Sequence, residues 1–245
     1  DVQRMIAAEA RRDPDARRVF LADGDVMRRP FDELQMILAD LAACLPGLAR
    51  VNVYATGSAI LAKSADQLRA LRALKLHTLY MGLESGDDET LRRVRKAETA
   101  ADMVEAGRRA QDAGLRLSVM ILLGLGGVER TRAHAEATAD ALNRMQPRLL
   151  SALRVIPVPR TELLDDVRSG RFVQLTERQA VEELRRMVER LDLTNTVFRA
   201  NHASNVVPME GRLPRDRDQL LAELDDLLAR GDLDQDSPGP LPLWL

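Results

Sequence analysis

Cysteine is nearly missing from this sequence: Cys44 stands alone among 245 residues, so no disulfide can form within the chain. Aromatic residues make up only 3%, few for the stacked platforms that hold single-stranded nucleic acid. Neither sign of charge dominates. The formal net charge is −2, which argues against the broad basic field of a nucleic-acid binder. No apolar run reaches the length of about 18 residues that a membrane-crossing helix requires. The opening DVQRMIAAEARRDPDARR lacks the apolar core of a signal peptide, and with the lone cysteine this points to the cytoplasm. A first residue that is Asp rather than Met is expected if the sequence enters partway through a longer protein. The histidines His77, His134 and His202 are too few and too scattered for a metal site.

What is present is a core. Hydrophobic residues reach 45% and charged residues 30%, enough for one substantial domain with a small appendage. Val2, Met5 and Ile6 predict an opening helix, which Pro14 ends. Short apolar, β-rich runs follow at Arg18–Ala22, Arg50–Tyr54, His77–Leu83, Arg116–Leu123 and Leu150–Ile156, with helical spacing between them. Leu34, Ile37, Leu38, Leu41 and Leu45 recur at helical spacing, and the helix from Ala101 stops at Gly114. Strands alternating with helices imply a parallel sheet covered by helices. The expected fold is α/β: part of a TIM-like barrel with about five βα units, its chemistry at the C-terminal strand ends, or else an open doubly wound sheet.

The pattern changes near residue 175, so residues 1–175 are expected to form the partial barrel and 176–245 a helical C-terminal extension. Thr176 with Gln179 has the form of a capping box at the start of a long helix. An irregular polar segment, residues 194–214, precedes a last amphipathic helix over 215–230. The tail carrying Pro238, Pro240 and Pro242 is expected to be loose.

Four strand ends can carry chemistry. Asp23-Gly24-Asp25 offers two carboxylates to a cationic amine or a metal, or is a turn with a helix N-cap. Leu83-Glu84-Ser85-Gly86 places a Glu where it can bond a hydroxyl pair, or simply leads into a capped helix. The glycines of Leu123-Gly124-Leu125-Gly126-Gly127 admit close approach of a phosphate or a nucleoside base, yet such turns also occur without ligands, and the spacing is not that of a dinucleotide fingerprint. Val155-Ile156-Pro157-Val158-Pro159 leaves its strand extended. That exit either presents backbone groups to a base or steers the chain.

In this order along the chain, from Arg18 to Pro159, the motifs resemble the radical S-adenosylmethionine (radical SAM) superfamily. The resemblance is closest to the branch of Elongator-type, MiaB-type and coproporphyrinogen-dehydrogenase-type barrels. YMGLESGDDETLRRVRK resembles that branch's segment after the fourth strand, and ILLGLGGVE its fifth-strand glycine motif. The resemblance implies a partial (βα)6-type barrel, and SAM and a [4Fe–4S] cluster as cofactors. Asp23, Gly24 and Asp25 would meet the SAM amino group, with Asp25 in place of the usual Glu. Glu84, with Ser85 beside it, would face the ribose or methionine part, and Lys96 would pair with the SAM carboxylate. Gly124, Gly126 and the backbone near Ile156 would flank the adenine. Met120 stands where some relatives carry an Asp for the ribose hydroxyls, and Ser118 is the candidate substitute. The family's CxxxCxxC loop has no counterpart here, which the resemblance places upstream of Asp1. Cys44 is instead expected to pack as a small hydrophobe.

The chemistry that the resemblance implies is one-electron cleavage of the SAM C5′–S bond, giving a 5′-deoxyadenosyl radical that abstracts hydrogen from a small-molecule substrate. A flavodoxin or ferredoxin would supply the electron, and the chain alone would be inactive. Arg199, Asn201, His202 and Asn205 are candidates for substrate contact, or for a turn-rich connector. His77 and His134 are expected to be structural or solvated. The alternatives are a cluster-free barrel binding a phosphorylated metabolite on the Gly124 turn, and a non-catalytic nucleoside-binding scaffold.

Overall fold

The structure is a computed structural model describing residues 2–22 and 24–239. Helix α1 (Val2–Arg12) leads to strand β1 (Arg18–Leu21), and α2 (Phe31–Cys44) to β2 (Arg50–Tyr54). Next come α3 (Gly57–Leu61), α4 (Ala65–Ala73), β3 (Leu76–Glu84), α5 (Asp88–Arg93), α6 (Ala100–Asp112) and β4 (Arg116–Leu123). They are followed by α7 (Gly127–Met145), β5 (Leu149–Arg154), α8 (Glu162–Arg168) and α9 (Glu177–Arg190). The described chain finishes with β6 (Thr196–Arg199), β7 (Glu210–Leu213) and α10 (Arg217–Arg230).

The strands follow one another in a single sheet in chain order, β1 to β7. The pairs β1/β2, β2/β3 and β5/β6 are parallel, and β6/β7 is antiparallel. This is the expected α/β architecture. Strands β6 and β7 correct the reading of residues 194–214 as wholly irregular. Each is only four residues long, too short for alternation to stand out. Their ladder partners supply the order: β6 adds parallel to β5 while burying Thr196 and Phe198, and Thr196 Oγ1 donates to the Pro147 carbonyl at 2.6 Å.

The chain divides into two compact units, residues 1–82 with 105–118 and residues 83–104 with 119–245. In the first, the inward residues Val51, Val53 and Leu79 are essentially inaccessible, as expected where helices cover a parallel sheet. On the other face, Phe20, Tyr54 and Tyr80 meet edge to face, with ring centroids 4.9–6.2 Å apart. Cys44, the last residue of α2, is exposed rather than packed. The α2 stripe of Leu34, Ile37, Leu38 and Leu41 is buried, and the helical period turns position 44 away from solvent exclusion.

In the second unit α9 packs against both α7 and α10. Its N-terminus carries the expected capping box, Thr176 with Gln179. The tail is docked, not loose, as far as Gly239. The first-turn amides of α9, Glu177 N–H and Arg178 N–H, donate to the Ser237 and Asp234 carbonyls at 3.0 and 3.1 Å. Asp234 N–H returns a bond to the Glu177 carboxylate at 3.1 Å, and the Arg154 guanidinium reaches the Pro238 carbonyl. The orphan N–H groups of a helix start need acceptors, and the tail supplies two. Pro240 and Pro242 lie outside the described residues.

Candidate functional site

In the first unit the loop after β1 carries the expected carboxylates. Asp23 lies outside the described residues. Gly24 is exposed, with φ +56° and open space where a side chain would be. Asp25 precedes the short 3-10 turn Val26–Arg28 but makes no capping bond to it. Its Oδ2 accepts the Thr56 hydroxyl at 2.5 Å, and its Oδ1 is buried with no hydrogen-bond partner among the described residues. Lys63, nearly buried, donates to the Met27 carbonyl at 2.9 Å. Burial lowers its pKa, an effect that the Asp25 charge partly offsets. A buried carboxylate oxygen without a donor is costly unless something cationic or hydrogen-bonding meets it. Sequence reasoning missed Asn52 on β2, whose Oδ1 is likewise buried and unmet. A polar residue inside a β-rich run was the available signal.

In the second unit the end of β3 divides the labour of Glu84-Ser85-Gly86. Ser85 is fully buried; its Oγ lies 2.7 Å from His134 Nδ1 and accepts the Asp87 N–H at 3.0 Å. This hydroxyl, expected to face a cofactor, is turned into α7. Gly86 rests on the backbone of the same helix: an added Cβ would lie 2.1 Å from the Ala137 carbonyl oxygen, and its N–H donates to Thr138 Oγ1 at 2.8 Å. Asp87 caps α5 through Thr90 and forms a two-pronged ion pair with Arg130 at 2.8 Å. That pair holds its carboxyl well below the usual range, at about 2.

Glu84 alone of the three keeps its side chain for other work. It sits at φ +60°, a strained setting for a residue with a side chain. Burial pushes its pKa up, and the charge of Lys96 pulls it back in part. Lys96 Nζ stands 3.8 Å from both Glu84 and Glu98. This loose cluster of two carboxylates and one ammonium at a strand end can bind a hydroxyl pair, an amine or a carboxylate.

The Gly-rich turn after β4 holds its own hydrogen bonds. Gly124 N–H donates to Glu183 Oε1 at 2.6 Å. Leu125, Gly127 and Val128 N–H donate to the carbonyls of Leu122, Gly124 and Val173. Gly126 packs against α7, with an added Cβ 3.1 Å from that of His134. Glu183 is 1% exposed and also accepts the Thr131 hydroxyl at 2.6 Å. Its place in the apolar stripe of α9, between Ala180 and Met187, was the unread sequence signal. On β4, Ser118 is buried and Met120 half-buried, and the strand's alternation puts both on one face.

Beside Gly124 a cavity of about 200 Å³ is lined by Arg154, Val155, Ile156, Gln174, Leu175 and Pro238, among others. Gly124 and Ile156 are thus brought to one cavity. Arg154 is half-buried there, and burial lowers its pKa. In the first unit a larger hollow of about 820 Å³ runs along β1 between α1 and α2; it is mostly apolar, and Asp25 is not among the described residues that line it.

The residues expected near substrate bond mostly to neighbouring protein groups, although Asn205 Oδ1 is buried and unmet among the described residues. Asn205 Nδ2 donates to the carbonyls of Ala152 and Ala200, both at 2.8 Å. His202 Nδ1 accepts the Ser204 N–H at 3.1 Å and lies 2.9 Å from its hydroxyl. Arg199 is exposed and faces Glu210 at 3.8 Å. Asn201 is exposed.

Taken unit by unit, these side chains suit groups of SAM better than they suit a cluster. Asp25 Oδ1 offers an unmet buried acceptor to an ammonium, and Glu84 with Lys96 offers charges of both signs. An iron–sulfur cluster needs several thiolates; Cys44 is the one cysteine in the chain, and no His, Cys, Asp or Glu group of three able to hold a metal occurs among the described residues. Nor, among those residues, is any helix long and apolar enough to cross a membrane.

No curated protein matches the sequence. Among solved structures, the chain is similar to an N-terminally deleted Elp3 of the archaeon Methanocaldococcus infernus, with TM-score 0.62 and 13% identity over 97% of this chain and 61% of that one. It is also similar to the methylornithine synthase PylB, with TM-score 0.53 and 16% identity over 92% and 71% of the two chains. For the Escherichia coli coproporphyrinogen III oxidase HemN, described as a radical SAM enzyme, the TM-score is 0.53 and the identity 12% over 92% and 44%. At these identities the likeness speaks for the fold, and the chain spans well under the full length of Elp3 and HemN. The family model described as Radical SAM superfamily matches residues 2–139, more than half of the sequence, and the chain belongs to that superfamily.

Proposed function

We propose that this chain is the SAM-binding barrel portion of a radical SAM enzyme acting on a small-molecule substrate. The carrying observation is the buried, unpartnered Oδ1 of Asp25 at the end of β1, which suits the SAM ammonium. Glu84 and Lys96 would hold the ribose hydroxyls and the methionine carboxylate, and the cavity at Gly124 and Ile156 would take the adenine. SAM, when bound in such enzymes, supplies hydrogen-abstracting radical chemistry; the part of these residues is to bind it, orient it and exclude water. A three-cysteine loop has to come from outside these 245 residues, since Cys44 cannot replace it. A flavodoxin or ferredoxin is the electron donor on this reading.

The phosphate-binding alternative loses support at the Gly124 turn. An anion site at a helix start needs free N–H groups, but those of Gly124, Leu125, Gly127 and Val128 are already bonded. The buried carboxylate of Glu183 beneath the turn would also repel phosphate. The lone cysteine keeps a nucleoside-binding scaffold as the second reading.

The test has two arms. Titration of this chain with SAM should give saturable binding that Asp25→Asn weakens at least tenfold, about 1.4 kcal/mol. The reading frame extended upstream, reconstituted anaerobically with iron and sulfide, should cleave SAM to 5′-deoxyadenosine with dithionite. An extended protein with no cysteine triplet and intact SAM would sink the enzyme reading.

A further inference from the structure

Three buried side chains from three elements form a continuous path in the second unit. Ser85 at the end of β3, His134 on α7 and Glu183 on α9 are each 1% exposed or less. Ser85 Oγ already accepts the Asp87 N–H, so its own proton is available to His134 Nδ1, 2.7 Å away. The proton of the neutral imidazole then belongs on Nε2. That nitrogen is buried with no hydrogen-bond partner among the described residues and lies 3.7 Å from Glu183 Oε1. The same oxygen receives the Gly124 N–H, and Oε2 the Thr131 hydroxyl.

The path joins two backbone positions that hold uncommon angles. Glu84, directly before Ser85, has φ +60°, and Gly124 has φ +78°. For Glu84 this angle is strained, so surrounding contacts must hold it, whereas Gly124 adopts its angle freely and needs only to be kept in one of its many conformations. A histidine kept only for packing would be expected to have both nitrogens met or one in solvent. Here one nitrogen is spent on the Glu84-Ser85 end and the other is aimed at the carboxylate that holds the Gly124 turn. A glutamate in the apolar stripe of α9 is likewise expensive to bury unless its bonds serve something.

We propose that His134 and Glu183 are positioning residues: through Ser85 on one side and the Gly124 N–H on the other, they hold the ends of β3 and β4 in the geometry that the bound nucleoside requires. For the ligand, this rests on the SAM reading above. For the relay itself it rests on the contacts alone. Neither residue is assigned contact with ligand. The prediction is that disturbing one end is felt at the other, although Ser85 and Gly124 share no bond among the described residues.

Amide hydrogen exchange at Gly124 and S-adenosylhomocysteine affinity, both measured on this chain, test the idea. Glu183→Leu should speed Gly124 exchange at least tenfold, and Ser85→Ala at least threefold. Glu183→Gln, which keeps an acceptor oxygen, should stay within threefold of the parent. Leu184→Ala on the same helix is the stability control, expected to raise exchange across the core evenly without singling out Gly124. S-adenosylhomocysteine affinity should fall in the same order as Gly124 protection. If Glu183→Leu does not fold, Ser85→Ala and Thr131→Val report on the two ends separately. Gly124 exchange that tracks the rest of the core in every variant would overturn the relay, as would undiminished affinity in variants whose turn has loosened. A parent chain that binds no S-adenosylhomocysteine would remove the nucleoside reading instead, and Gly124 exchange alone would then decide the relay.

Discussion

Leu83–Gly86 and Asn201–Asn205 are two short stretches carrying polar side chains, and the fold uses them in different ways. In the second, His202 and Ser204 bond each other, and Asn205 ties the end of β5 to the end of β6. In the first, Ser85 and Gly86 are given to α7 so that Glu84 can stand at a strained backbone angle beside Lys96. Polar density by itself does not distinguish the two stretches. Asn205 Oδ1 is buried and unmet among the described residues, whereas Glu84 faces Lys96, so the contrast lies in backbone strain and charge.

The sharpest way to break this contrast is Gly86→Ala. Its methyl would meet the Ala137 carbonyl at 2.1 Å, and overpacking against backbone should cost about 3 kcal/mol in chemical denaturation. A loss under about 1 kcal/mol would mean that α7 can retreat, and that Gly86 does not anchor the motif. Asn205→Ala comes next. It removes a side-chain donor from two carbonyls and should lower stability by about 2 kcal/mol, with SAM affinity unchanged within threefold. A tenfold weaker affinity would instead return the loop to the ligand site.

Glu84→Gln should do the reverse, weakening SAM about tenfold, or about 1.4 kcal/mol, with a Tm no lower than the parent's. The sign follows from burial. The folded state raises the Glu84 pKa, so charging this carboxyl destabilises the fold as pH climbs above the usual glutamate range. The Tm advantage of Glu84→Gln should accordingly grow from pH 5 to pH 8; a constant difference would argue against a desolvated carboxyl. The smallest effect is expected at Arg199→Ala, within about 0.5 kcal/mol, because its partner Glu210 is also exposed. A larger change in stability or affinity would show that this end of β6 has been misjudged.

Much of the scaffold was legible because it rests on local pattern. Arg50–Tyr54 and Arg116–Leu123 appear with the bounds that their apolar runs suggest, and Thr176 with Gln179 closes a reciprocal cap. What escaped depends on distant partners. β6 exists because β5 offers it a ladder. Ser85 and Glu84 are adjacent in sequence, and only α7 decides which of them turns inward. Glu183 reads as one more charge in a charged helix until its stripe meets Gly124 and Thr131. Cys44 and the tail failed for the same reason, since the helix face that is covered and the carbonyls that a helix start will accept are set by the assembled fold.

The docked segment Asp234–Gly239 has a practical consequence for handling this protein. It works as a removable staple: cutting the link after α10, or pulling the segment outward with a fused affinity handle, would take acceptors from two α9 amides and the Pro238 carbonyl from Arg154 at once. Gly239 adopts φ +75°, which disfavours a side chain there, and Glu177 would have to swing aside to admit even a methyl. Protease sensitivity of that link, compared with and without nucleoside, would therefore read the state of the neighbouring cavity from a gel.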